Sequence, residues 1–337
     1  MPGATFADHR EITSLGLSRA ASALAGGSSI GRADRPDPPR DGRAEACGAR
    51  YARAMDPVLD VESLIEALRG PEATRPALVD ARRSREAYAA AHLAGARWVD
   101  LDRDLAAPVT DASHGGRHPL PAPEAFARVL GRLGIEGDAR RVVIYDDQGG
   151  GLAAARLWWM LRAYQHHDVQ VLDGGWAAIQ EAASRGALPI DSAPEPDASA
   201  THEVRAWAGR EASLEDVERL RLDPSWLVLD VRAADRYRGQ NETIDPVAGH
   251  IPGVVNAPYA TTNLDARGRF LAAATLRAAY EALLAGRDVD HLVVHCGSGV
   301  TACHTLLALE RAGLRGARLY VGSWSEWCRR PDLPRAP

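Results

Sequence analysis

Cys296 stands where a thiol can be made reactive. In the segment HLVVHCGSGVTACH at 291–304 an apolar β-type run ends at His295, Cys296 follows, and a helix pattern begins near Ala302. Gly297 and Gly299 let the backbone curl so that successive N–H groups point inward. The N-terminus of the following helix adds partial positive charge at the same place. A thiolate held in such a cradle is favoured over the thiol. The backbone N–H groups of Gly297, Ser298, Gly299, Val300 and Thr301 are therefore the expected anion cradle, and Cys296 the expected nucleophile.

Two chemistries use a cysteine in a loop of this kind. Phosphate-ester hydrolysis needs an arginine six residues after the cysteine to grip phosphate with its planar fork of donors. That position is Ala302, which speaks against it. A loop one residue shorter suits transfer of a sulfur atom. The thiolate attacks the outer sulfur of a donor, becomes a persulfide and hands the sulfur to an acceptor.

Composition removes other options. The chain has 337 residues and a formal net charge of −5, and all 40 basic residues are arginine. Without lysine there is no Schiff-base chemistry and no GK[ST] phosphate loop. The mild acidity offers nothing to nucleic acid or anionic membranes. No apolar run reaches the length of a spanning helix. The four cysteines (Cys47, Cys296, Cys303, Cys328) form no C-x-x-C pair, and their sparse use fits free thiols in a reducing cytoplasm. The adjacent His166 and His167 point to different faces and make no metal motif. No cofactor or metal is called for.

The elements around the cysteine loop read as α/β. Ala77–Val79, Arg140–Tyr145 and Val169–Leu172 are strand patterns. Val61, Leu64, Ile65 and Leu68 share one helical face, Ser84–Ala91 forms a second helix, and a third runs through Trp158 and Trp159. The order then recurs. LVDAR at 78–82 pairs with LDVR at 229–232, HLAGARWVD at 92–100 with HIPGVVNAP at 250–258, VVIYDDQGGG at 142–151 with LVVHCGSGVT at 292–301, and VLDGGW at 171–176 with YVGSWSEW at 320–327. An offset of about 150 residues marks a duplicated domain rather than a solenoid. The expected organisation is a disordered or over-extended segment at 1–54, a first domain at 55–186, a linker at 187–212 and a second domain at 213–337. Each domain is expected to be a mainly parallel sheet flanked by helices.

With CGSGVTAC at 296–303, GHIPG at 249–253, DVR at 230–232 and GSWSEW at 322–327, the chain from about Met55 onward resembles the tandem-rhodanese sulfurtransferases, the family of thiosulfate and 3-mercaptopyruvate sulfurtransferases. The resemblance implies a catalytic second domain and a first domain that has lost its cysteine, with Asp146 in the equivalent place. Gly297 and Ser298, where thiosulfate enzymes carry basic residues, resemble the mercaptopyruvate pattern. It further implies a relay of Ser298, Asp102 and His118, with His114 as the fallback histidine, and Arg236 as the grip on an anionic sulfur donor. A second arginine is implied nine residues later, where this chain has Asp245. Asp245 is expected as a repulsive neighbour of the donor that favours thiosulfate, with Arg238 as the candidate substitute. The implied acceptor is a small thiol, a thioredoxin-like protein or cyanide. The alternative from a different class is a non-catalytic persulfide carrier serving a partner protein.

Overall fold

Alternate residues of each central strand belong to different apolar clusters, which is why the strand runs read as continuously hydrophobic. The computed structural model describes residues 55–137, 140–208 and 210–337. The expectation for residues 1–54, and Cys47 with it, lies outside them. In chain order the strands are β1 (Val58–Leu59), β2 (Ala77–Asp80), β3 (His92–Leu93), β4 (Ala96–Trp98), β5 (Val142–Tyr145), β6 (Val169–Leu172), β7 (Ile190–Asp191), β8 (Glu211–Ala212), β9 (Leu227–Asp230), β10 (Val255–Asn256), β11 (Leu292–His295) and β12 (Arg318–Tyr320). The first sheet has the order β1-β6-β5-β2-β4 and the second the order β8-β12-β11-β9-β10. All pairings in both are parallel. The two orders correspond strand for strand, so the internal repeat is a repeat of topology. Two pieces of the expected linker join the sheets' framework. Ile190–Asp191 pairs antiparallel with β3, and Glu211–Ala212 is the edge strand of the second sheet. Strands of two residues are too short to show as a pattern.

One core lies between the sheets. Val79 and Ile144 of the first sheet and Leu229 and Val294 of the second share a single apolar cluster. The opposite faces, with Leu78 and Val143 or with Val228 and Val293, pack into separate clusters. The helices Ala153–Ala163 and Ala302–Arg311 pack against each other in the shared core, and nearly every residue of both is buried. Trp158 and Trp159 sit in the middle of the first of these helices and are core residues.

Buried polar groups tie this interface. His304, fully buried, donates from Nε2 to the Gly149 carbonyl (3.2 Å) and accepts at Nδ1 from Asn263 Nδ2 (3.0 Å), so the neutral ring is satisfied on both nitrogens. Burial pushes its pKa from 6.5 down to about 3, against the weaker pull of the Gly149 carbonyl. The unfolded chain takes up this proton as pH falls through 6.5, whereas the folded protein refuses it until about 3. The contribution is therefore complete above pH 6.5 and is lost progressively as pH falls toward 3, by about 5 kcal/mol at 1.36 kcal/mol per pKa unit. His304→Gln is expected to flatten the fall of unfolding free energy between pH 6.5 and 4 by about one proton, as read by urea titrations across that range.

Candidate active site

The strand-to-helix turn forms as its residue types require. Gly299 has φ +72°, and a Cβ there would lie 2.4 Å from the Val321 carbonyl oxygen, so only glycine fits. The turn Gly322–Ser325 supports the loop from below. Ser323, itself at φ +54°, accepts the Cys296 N–H on its hydroxyl (3.2 Å) and donates to the Tyr320 carbonyl (2.8 Å). The Cys296 carbonyl accepts from Trp324 N–H (3.1 Å) and the Gly297 carbonyl from Ser325 N–H (2.8 Å). The conformation is therefore held from outside the loop.

The equivalent loop of the first half shows what the cradle is for. Asp146 occupies the cysteine's position and its own carbonyl accepts from Trp176 N–H (2.8 Å), as Cys296 does from Trp324. Its buried carboxylate accepts from the backbone N–H groups of Gln148 (2.9 Å), Gly150 (2.8 Å), Leu152 (3.3 Å) and Ala154 (3.4 Å). Burial still raises its pKa, only partly opposed by these donors. In the Cys296 loop, among the hydrogen bonds of the described residues, none is donated by the N–H groups of Gly297 to Thr301. One loop holds its own anion; the other is open for one.

The open loop floors a cavity of about 580 Å³. Cys296, Ser298, Val300, Thr301 and Arg236 line it from the second half, and Arg117, His118, Leu101 and Leu152 from the first. Cys296 and Ser298 are both buried at its base. His118 Nε2 lies 2.9 Å from Asp102 Oδ1, and Arg83 bonds the other oxygen of Asp102 at 3.0 Å. Burial lowers the His118 pKa below 6.5, outweighing the opposite pull of Asp102. Asp102 is also lowered: its partial burial works the other way but is overcome by the bonds from His118 and Arg83. At neutral pH a neutral His118 donates Nε2–H to Asp102, which leaves Nδ1 as an acceptor, buried and without a partner.

The sequence-derived candidates thus converge, with four differences. Ser298 and His118 line the same cavity, but no hydrogen bond joins them. His114 is exposed and bonded to Asp111, away from this cavity, so it is no substitute for His118. Arg238 bonds Gln240 on the surface and is absent from the cavity wall. Asp245 is not a repulsive neighbour of the donor: its side chain is fully buried and ion-paired with Arg117 and with Arg329 (3.0 Å). A carboxylate among guanidinium groups is neutralised rather than displayed.

Sequence reasoning missed Arg117 and Arg156. Arg117 reaches the cavity because the segment before it docks on the turn below Cys296. Gly115 N–H donates to Glu326 Oε1 (2.8 Å) and Arg117 N–H to Ser325 Oγ (3.1 Å). Gly116 (φ +75°) is pressed so closely there that a Cβ would lie 2.4 Å from the Gly322 carbonyl oxygen. Arg156, fully buried in the interface helix, bonds the carbonyls of Gly299 (3.2 Å), His118 (3.0 Å) and Leu105 (3.3 Å), tying the histidine's segment to the cysteine loop. Its signal was available: an arginine inside the apolar run AAARLWWM has to find buried acceptors. Cys303, whose thiol burial pushes up to about 12, meets the Gly299 carbonyl at 3.3 Å and is a packed residue of the helix.

The Rhodanese-like domain family matches the chain twice, at residues 60–182 and 213–330. The chain belongs to the tandem-rhodanese sulfurtransferase family. It is 45% identical over 269 residues to the "Probable 3-mercaptopyruvate sulfurtransferase" of Pseudomonas aeruginosa, covering 78% of this chain and 90% of that one. It is 35% identical over 290 residues to human 3-mercaptopyruvate sulfurtransferase, covering 80% and 91%. The solved structure of 3-mercaptopyruvate sulfurtransferase from Leishmania major superposes with a TM-score of 0.66 at 28% identity, covering 82% of this chain and 75% of that one. Membership makes the protein a rhodanese-type sulfurtransferase, an enzyme that works with a sulfur donor and a thiol acceptor. Among the described residues no helix is long and apolar enough to cross a membrane.

Proposed function

We propose that this rhodanese takes sulfur from 3-mercaptopyruvate and passes it through a Cys296 persulfide to a thiol. The observation that carries the reading is the contrast between the two loops: Asp146 fills its own cradle, and the Cys296 cradle is open at the base of a cavity. In this mechanism the Cys296 thiolate attacks the donor sulfur and an S–S bond forms. The C–S bond breaks, and its electron pair passes to the donor carbon as the enolate of pyruvate. The proton of the donor thiol ends on that carbon, so a thiolate and mercaptopyruvate become a persulfide anion and pyruvate. An acceptor thiolate then attacks the outer sulfur and restores the Cys296 thiolate. The N–H groups of Gly297, Ser298, Gly299, Val300 and Thr301 stabilise the anionic sulfur. The Ser298 hydroxyl polarises the donor carbonyl, His118, oriented by Asp102, relays the proton of the donor thiol, and Arg236 holds the donor carboxylate. The first half, with Asp146 in the cysteine's place, is non-catalytic and supplies His118 and Asp102. The acceptor is a small thiol, a thioredoxin-like protein or cyanide, in the cytoplasm.

The names of the Pseudomonas aeruginosa and human relatives support the mercaptopyruvate choice, as does the His118–Asp102 pair at the cavity. Measuring kcat/KM for 3-mercaptopyruvate and thiosulfate side by side tests it. A preference of tenfold or more for mercaptopyruvate is expected; the reverse preference overturns the donor assignment. Transfer that stops after one equivalent of sulfur would mark a persulfide carrier instead of an enzyme.

A further inference from the structure

Three arginines of the described residues are buried, and they are not alike. Arg82 and Arg232 each close on a carboxylate of their own, Asp80 and Asp230, at 2.7 Å. Arg156, with no exposed surface, has no such partner among the described residues. Its hydrogen bonds all go to carbonyls, those of Gly299, His118 and Leu105. Carbonyls satisfy the donors of a guanidinium group but leave its charge without a counter-charge, and burying a lone cation is costly. Burial works against the charge of Arg156, and the two side chains that oppose burial are both thiols, Cys303 and then Cys296. The Cys303 thiol, pushed up to about 12, is neutral at pH 7. That leaves Cys296 as the group whose anion can answer Arg156.

The other charges around Cys296 are already matched. Arg232 also interacts with it, but Asp230 and Glu242 balance that arginine. In the cavity, Arg117 and Arg236 share Asp245 and Glu242, and Arg83 has Asp102. Burial holds His118 and His295 below 6.5 and the Tyr259 hydroxyl above 10, so all three are neutral at pH 7. Arg156 does not line the cavity, so solvent ions do not reach it. The Gly299 carbonyl it holds belongs to the cysteine loop. In a trans peptide the C=O and the following N–H point in opposite directions. The bond from Arg156 therefore also sets the direction of Val300 N–H, one of the cradle donors.

Resting on the reading of Cys296 as the nucleophile of a sulfurtransferase, we propose that Arg156 is the counter-charge of the Cys296 thiolate, supplied by the first half from inside the shared core. It is a positioning residue: it acts on the sulfur by its field and through the Gly299 carbonyl. The first half thus stabilises the charge of the nucleophile as well as walling the cavity above it.

The test reads the pH dependence of Cys296 alkylation by iodoacetamide in the full-length enzyme, taken as the rate that Cys296→Ser removes. The wild type is expected to reach its half-maximal rate well below the ordinary thiol value of about 8.5. Arg156→Gln keeps an amide for the carbonyls and loses the charge, and is expected to raise that midpoint by about 1–2 pH units. Arg156→Lys keeps the charge, loses the fork and is expected to raise it less. Raising the ionic strength from about 0.05 to 1 M is expected to leave the wild-type midpoint in place, because a sealed cation is not screened. A field set by the arginines of the open cavity would weaken instead, and the midpoint would climb. An unchanged midpoint in Arg156→Gln, in a variant that still unfolds cooperatively, overturns the proposal: a merely structural arginine lowers the melting temperature and leaves the thiol alone. Should Arg156→Gln not fold, the wild type decides. A midpoint at the ordinary thiol value, or one that climbs with salt, overturns the proposal, and a low and steady one upholds it. The sulfurtransferase reading fails separately, if the wild type turns over neither mercaptopyruvate nor thiosulfate. The alkylation profile needs no donor and reads Arg156 in either case.

Discussion

Cys296→Ser is expected to abolish sulfur transfer from either mercaptopyruvate or thiosulfate while the protein still folds. Serine is nearly the same size, and the loop is held by groups the substitution leaves in place: Ser323 Oγ on the Cys296 N–H, and Trp324 and Ser325 N–H on the carbonyls of 296 and 297. What is lost is chemical. A hydroxyl is a poor nucleophile at neutral pH and cannot carry a second sulfur as a persulfide. The other described cysteines offer no bypass. Cys303 and Cys328 are buried, and burial raises both thiols. Residual turnover above a tenth of wild type, in a variant with the wild-type melting curve, would remove Cys296 from its role.

His118→Ala is expected to cost mercaptopyruvate turnover about 10²–10⁴-fold in kcat/KM and thiosulfate turnover far less. The difference arises because mercaptopyruvate carries a thiol proton that must be moved to carbon, and thiosulfate carries none. His118 lines the cavity with Nε2 fixed on Asp102, and its Nδ1 is a buried acceptor without a partner. Its pKa is held below 6.5 by burial, so the neutral ring is the working form at pH 7. Acidification puts a proton on Nδ1 and removes the acceptor. The wild-type kcat/KM for mercaptopyruvate should therefore be level above pH 6.5 and fall below it, with a midpoint under 6.5, and the fall should be absent in His118→Ala. Equal losses with both donors would make His118 a support of the interface and not part of the relay.

The parts of this site that could be read in the sequence are those built from near neighbours. A strand, a glycine pair and a helix start are contiguous, so Cys296 and its cradle were visible at once. The repeat was visible because each copy brings its own local words, DAR and DVR, whose Asp80–Arg82 and Asp230–Arg232 pairs close at the same 2.7 Å in both halves. What escaped was made by contacts across the chain. Arg117 and Asp245 are separated by 128 positions, and nothing in the spacing of either says that they meet. Asp245 therefore looked like a charge lost from the site when it was the anchor of a charge brought to it. The interface helix Ala153–Ala163 was legible as a helix through Trp158 and Trp159 but not in its bounds: buried almost all round, it has no polar face to mark its period.

Asp146 makes the first half a protein that is permanently bound to its own ligand. Four backbone donors that would be left unpaired in an empty loop are answered by a carboxylate on the same chain, two to eight residues away. That loop therefore needs no ligand from outside to pair its donors. The second half has no such tenant, and its loop gains stability by mass action whenever an anion settles over Cys296. Because the two halves share one core, this gain is felt by the whole molecule, and the enzyme hardens as sulfur donor accumulates.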